Sequence, residues 1–140
     1  MQKAQISLDL LLALLTAIVL VTSFGYVITN EKKTQDELLV NQQLVSIVEN
    51  CANLLTSAQS ISDMNFVLQY KMQKINYLDE NKNNKNAYPT LSILDQNKLN
   101  GKITAAGRVF DYNTYFGVSS RIIIDVTSTA TAGIMVVKNA

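Results

Sequence analysis

The chain has 140 residues, of which 48% are hydrophobic and only 16% charged, with a formal net charge of +1. That length allows one modest domain plus an N-terminal appendage, and that charge carries no electrostatic footprint for nucleic acid or anionic lipid. With no histidine and a single cysteine, Cys51, the sequence excludes Ser–His and Cys–His nucleophilic pairs, an internal disulfide and the commonest metal ligand, so neither enzyme activity nor a cofactor is expected.

Residues 10–28, "LLLALLTAIVLVTSFGYVI", hold no charge. As a helix of 1.5 Å rise they span about 28 Å, close to the roughly 30 Å hydrocarbon core of a bilayer. Thr16, Thr22 and Ser23 can bond back to the preceding turn and stay within such a span. Gly25 marks a flexible point near its far end. Three uses of the segment compete. A secretory signal peptide would place Lys3 in its n-region and be cut near Ser23 or Gly25, but Asp9 offsets Lys3 ahead of the apolar run and no A-x-A site is present. A plain single-span anchor would keep the whole segment. The third use is a very short basic leader, removed ahead of an apolar helix that stays on the mature chain.

The stretch "KAQISLDLL", residues 3–11, resembles the class III signal peptide of archaeal type IV pilins. That pattern is a basic residue, a small residue, glutamine, any residue, serine, any residue and an acid, leading into a hydrophobic stretch. Lys3, Ala4, Gln5, Ser7 and Asp9 match it in register. The family usually has glycine where Ala4 stands and glutamate where Asp9 stands; both departures preserve the chemistry. The resemblance implies cleavage between Ala4 and Gln5 by a membrane prepilin peptidase, with residues 1–4 as leader. It implies a structural subunit of a surface filament, held in the membrane as precursor and then assembled with identical or related pilin subunits outside the cell. From the near-neutral charge, no nucleic-acid partner is expected.

A carboxylate at membrane depth costs roughly 2.5–3.5 kcal/mol and persists there only with a use or a partner. Asp9 follows Gln5 by four residues, one helical turn, on the same face. After cleavage it can therefore face the new ammonium on Gln5 of its own or a neighbouring chain, which makes Asp9 and Gln5 the expected charge-pairing positions in assembly. The plainer alternative puts Asp9 at the headgroup interface, or has it cap the helix with Ser7.

From residue 31 the apolar positions Leu44, Ile47, Val48, Cys51, Leu54, Leu55, Ala58 and Ile61 recur at spacings of three and four. They predict an amphipathic helix over 31–63, with a break near 29–36 allowed, whose apolar stripe carries a head domain. Glu49, Asn53, Ser57 and Ser60 would line the opposite face. Cys51, inside the stripe, reads as a small core residue.

The head is expected over 64–140. The alternation Phe66, Leu68, Tyr70, Met72 predicts a strand, and the polar, asparagine-rich run 78–90 predicts an exposed loop closed by Pro89, the only proline. Asp79, Asn81 and Asn83 reproduce the start of a calcium loop, but Asn84 replaces its glycine and Thr90 its closing acid. Beyond it, the runs 90–95, 101–105, 107–112, 121–127 and 133–138 are short, β-branched and punctuated by Gly101, Gly107, Gly117 and Gly133. They predict an antiparallel sheet of four or five strands, giving an α+β fold: a long apolar helix that continues into an amphipathic one, packed on a C-terminal sheet. The remaining carboxylates are scattered singly, Tyr112 and Tyr115 could form an adhesive or subunit-contact patch, and no N-x-S/T sequon occurs. The competing function is a membrane-anchored or secreted surface protein whose β domain binds a ligand.

Overall fold

In the computed structural model the described residues are 2–61, 65–117 and 121–140, with side chains from Asp9 onward. A single helix, α1, runs Gln2–Ser60. No break interrupts 29–36. Thr29 and Thr34 return their hydroxyls to the carbonyls of Gly25 and Asn30, at 2.8 and 3.0 Å, and Glu31, Lys32 and Lys33 are good helix formers. The expected helix end at Asp63 falls outside the described residues; α1 itself stops at Ser60.

Two units divide the chain, Met1–Glu37 and Leu38–Ala140. In the second, α1 first buries a side chain at Val40, then Leu44, Ile47, Val48, Cys51, Ala52, Leu55 and Ala58. This is the predicted stripe, except that Leu54 is half-buried and Ile61 is exposed. Glu49 departs from the expected solvent face: it is half-buried, because Tyr112 Oη donates to its Oε1 at 2.5 Å.

Eight strands follow: β1 Val67–Lys71, β2 Ile75–Leu78, β3 Asn84–Ala87, β4 Thr90–Leu94, β5 Lys98–Ala105, β6 Arg108–Tyr115, β7 Ile122–Asp125 and β8 Ile134–Asn139, with the one-turn helix α2, Thr129–Ala132, before the last. The single sheet of four or five strands is thereby corrected. Two three-stranded antiparallel sheets, ordered β1-β8-β7 and β4-β5-β6, stand beside the hairpin β2-β3. The split follows from the chain's route. β7 belongs to a different sheet from β6, and β1, read only as an isolated alternating run, takes β8 as its partner through the pairs Leu68↔Val137 and Tyr70↔Met135. Phe66, Leu68 and Tyr70 pack on the core and Met72 is buried within it, as their alternation predicted.

The expected loop 78–90 is also corrected, since it contains β3. Asp79 Oδ1 accepts from the backbone N–H groups of Asn81 and Asn83, at 2.9 and 2.8 Å, and Lys82 adopts φ +61°. That local turn reverses the chain and sends Asn84–Ala87 back along β2. Helix α2 was not foreseen in the Ser/Thr/Ala-rich run. Thr129 holds it in place, fully buried, accepting from Leu91 N at 3.1 Å and donating to Val126 O at 2.8 Å.

Two positions show why the sequence is as it is. At Gly101 a β-carbon would run into Val48 Cγ2, so glycine lets β5 lie directly against α1. The β5–β6 hairpin turns on Ala106 and Gly107, both left-handed at φ +50° and +71°, as a two-residue type I′ turn demands. Alanine is strained there and asparagine is not. Ala106→Asn is therefore expected to stabilise the head by about 0.5–1 kcal/mol, and Gly101→Ala to destabilise it by about 1–3 kcal/mol. Thermal melts of the full chain in detergent, followed by near-ultraviolet circular dichroism, measure both.

Candidate functional site

In the first unit the chemistry begins with an uninterrupted apolar surface. From Asp9 to Lys33 every residue is exposed, including Leu10 at 72%, Val21 at 71% and Tyr26 at 71%. Within Asp9–Ser60 an 18-residue window reaches a mean hydropathy of 2.4 with none of it buried, so this helix is long and apolar enough to cross a membrane. Its hydroxyls, though exposed, are bonded back to the helix backbone. Thr16 bonds to the carbonyls of Leu12 and Ala13, Thr22 to those of Ile18 and Val19, and Ser23 to that of Val19, all within 3.0 Å. These bonds let hydroxyls sit in lipid or among other helices without an orphaned donor. Gly25 is embedded in the helix rather than at a bend, and a β-carbon there would meet nothing within 4 Å.

Asp9 opens this surface and is exposed. The backbone is helical from Gln2, which places Gln5 one turn before Asp9. The side chains of Lys3, Ala4, Gln5 and Ser7 lie outside the described ones. The first unit thus offers a helix whose carboxylate stands at the head of a charge-free stretch reaching to Glu31.

The second unit holds a cleft of about 290 Å³ between α1 and the loop joining β1 to β2. Leu39, Ile47 and Tyr70 give it apolar walls; Gln42, Ser46, Asn50, Gln73 and Lys74 supply polar groups. Its width is fixed by Gln43. The Gln43 amide accepts from Asn76 N at 3.0 Å and donates to Asn76 O at 3.3 Å and Leu39 O at 3.2 Å, tying β2 to the helix. Met72 and Ile75, both buried, pin the two ends of the loop that carries Gln73 and Lys74. Sequence reasoning placed none of these residues in a site. The one available signal was that Gln42, Ser46 and Asn50 recur at a spacing of four, beside the apolar stripe.

The other candidates resolve structurally. Cys51 is fully buried, and burial pushes its thiol up to about 12, which leaves it protonated and unreactive. Tyr112 is occupied by Glu49, whose hydrogen bond raises the phenol, whereas Tyr115 is 69% exposed at the end of β6. The two do not form one exposed patch. Among the described residues no group of three His, Cys, Asp or Glu side chains is placed to hold a metal ion. In the calcium-like run, Asp79 spends its carboxylate on the turn. The hydrogen bonds it accepts from Asn83 are the main reason it is held below the usual carboxylate range, with Asn81 and the nearby Lys85 adding to the effect.

A lowered folded-state value means that this turn contributes stability above the unfolded carboxylate value of 3.8 and loses it as pH falls through the still lower folded value. Asp79→Ala is therefore expected to speed amide exchange at Asn81 and Asn83 at pH 6. The difference between variant and parent should shrink as pH falls below 3.8, once the pH dependence of intrinsic exchange is removed. No family model matches the chain, and neither a curated protein nor a solved structure matches it.

Proposed function

We propose that this chain is a structural subunit, major or minor, of an archaeal type IV pilus-like surface filament. The observation that carries the reading is the pairing of the "KAQISLD" motif with a helix whose next nineteen residues are apolar and exposed. A prepilin peptidase removes residues 1–4, and the formal side-chain charge falls from +1 to 0 with the loss of Lys3. The apolar stretch of α1 anchors the precursor in the membrane and afterwards forms the filament core with the same stretch of other subunits. Lipid tails are as apolar as leucine, so association is driven by close packing and by satisfied polar groups rather than by escape from water. A lone amine in that environment is costly, and the Asp9 carboxylate of the same or a neighbouring subunit offsets it at one axial position. Asp9 in this way reports register to an incoming subunit.

The alternative of a membrane-anchored or secreted surface protein draws on the cleft in the second unit, which a ligand-binding domain would use. N-terminal sequencing of the mature chain separates the readings. A start at Gln5 is the expected result; a start near Phe24 or Tyr26 points to secretion, and an intact Met1 to a plain anchor. With processing established, Asp9→Ala is expected to leave cleavage intact and to lower the yield of sedimentable filaments at least ~10-fold, the consequence of an unpaired buried charge. Normal filaments from that variant would remove the assembly role.

A further inference from the structure

The cleft between α1 and the β1–β2 loop has the composition of a sugar site. Its volume, about 290 Å³, falls just below the ~300–1,000 Å³ typical of small-ligand clefts. Its polar groups are amides and a hydroxyl, which both donate and accept and so match the dual character of sugar hydroxyls. Tyr70, half-buried on β1, offers an aromatic wall, and Leu39 and Ile47 complete an apolar surface for the C–H face of a ring.

Two further features bear on what the cleft can bind. First, its polar groups are exposed and uncommitted, open to a ligand without loss of an internal bond, while their framework is locked. Thr16, Thr22, Ser23, Thr29, Thr34, Thr56 and Ser57 all return their hydroxyls to the helix backbone, but Ser46 does not. Among the described residues, the side chains of Gln42, Asn50 and Gln73 also make no hydrogen bond within the protein, whereas Gln43 makes three and holds the cleft open. Second, the cleft is lined by one cation and no acid. Lys74 is that cation; its Nζ lies 5.3 Å from the centroid of the Tyr88 ring, which does not line the cleft.

We propose that this cleft binds a pyranose ring bearing a carboxylate, a hexuronate unit, with Lys74 facing the carboxylate and Gln42, Ser46, Asn50 and Gln73 facing the ring hydroxyls. The site belongs wholly to the second unit and does not depend on leader cleavage or filament assembly. A monosaccharide of about 13 non-hydrogen atoms, at the per-atom efficiency usual for small ligands, binds with a Kd of about 1 mM, so the assay must read weak binding.

The test is an amide-resolved NMR titration of the full chain in a sugar-free phosphocholine detergent, with glucuronate, glucose and acetate as separate probes. Glucuronate is expected to shift residues 39–50 and 70–74 with a Kd of about 1 mM, and glucose to bind the same residues about tenfold more weakly. Acetate should leave them unmoved. Lys74→Gln, an exposed substitution, should weaken glucuronate about tenfold and leave glucose unchanged. Asn50→Ala should weaken both sugars, with the unbound spectrum reporting that the fold is intact. Silence towards both sugars, or shifts outside the cleft, would overturn the site. Equal binding of glucose and glucuronate, or an acetate response matching that of glucuronate, would overturn the assignment of the ligand.

Discussion

The apolar surface of α1 from Leu10 to Ile28 is the constraint on which the rest depends. Nothing among the described residues buries it: large side chains such as Leu10, Phe24 and Tyr26 are each more than 60% exposed. Left in water, such a surface is penalised at roughly 25 cal/mol per Å², and the helix that carries it is long and apolar enough to cross a membrane. Its backbone is satisfied internally, and its hydroxyls are folded back onto the carbonyls one turn earlier. On the filament reading, shape would select the neighbours where hydrophobicity cannot.

The same helix meets a different problem after Leu39. From Val40 to Ala58 its apolar stripe is buried by its own unit, and three contacts make that burial specific. Gly101 brings β5 close enough for Val48 to fill the gap, Gln43 clasps the backbone of Asn76, and Glu49 takes the phenol of Tyr112. Each contact ties the helix to a strand remote in sequence, so the head holds α1 by chemistry as well as by packing. The polar row on the outer side of β4-β5-β6 does comparable work between strands. Asn100 accepts from Ser92 and donates to Asp111 and Asn113, locking the register of three neighbours.

Much of this was legible in the sequence because it depends on local periodicity. The stripe from Leu44 to Ala58, the alternation of Phe66, Leu68, Tyr70 and Met72, and the β-branched runs from Thr90 onward all record burial at a fixed period. The partition into sheets was not legible, because pairing β1 with β8 is decided across most of the head by which faces must meet over α1. The run 78–90 misled for a physical reason. Asparagine-rich composition reports exposure, and β3 is indeed largely exposed, but Asp79 makes a turn that lets exposed residues pair. Cleft residues such as Gln42 and Gln73 were invisible because they lie on different elements and become neighbours only when Gln43 closes the helix onto β2. At the N-terminus the sequence speaks through a motif of five matched positions, and their side chains lie outside those described, apart from Asp9.

The helical period gives that motif a further meaning. Positions 3 and 9 of a helix lie about 120° apart around the axis, whereas positions 5 and 9 differ by only about 40° and one turn of rise. An ammonium at Lys3 and the carboxylate at Asp9 therefore occupy different sides of α1, and the uncut chain does not neutralise its own acid along one face. An ammonium on Gln5 is the first positive charge that the backbone places on the side of Asp9. Cleavage at any other nearby bond would put the new amine elsewhere on the helix: at residue 4 it would be about 140° from Asp9, and at residue 6 about 60° away and closer in rise. On the proposed filament reading, the identity of the cut and the position of the acid are one geometric choice. On the filament reading, processing does more than shorten the chain: it moves positive charge onto the face where the carboxylate already stands.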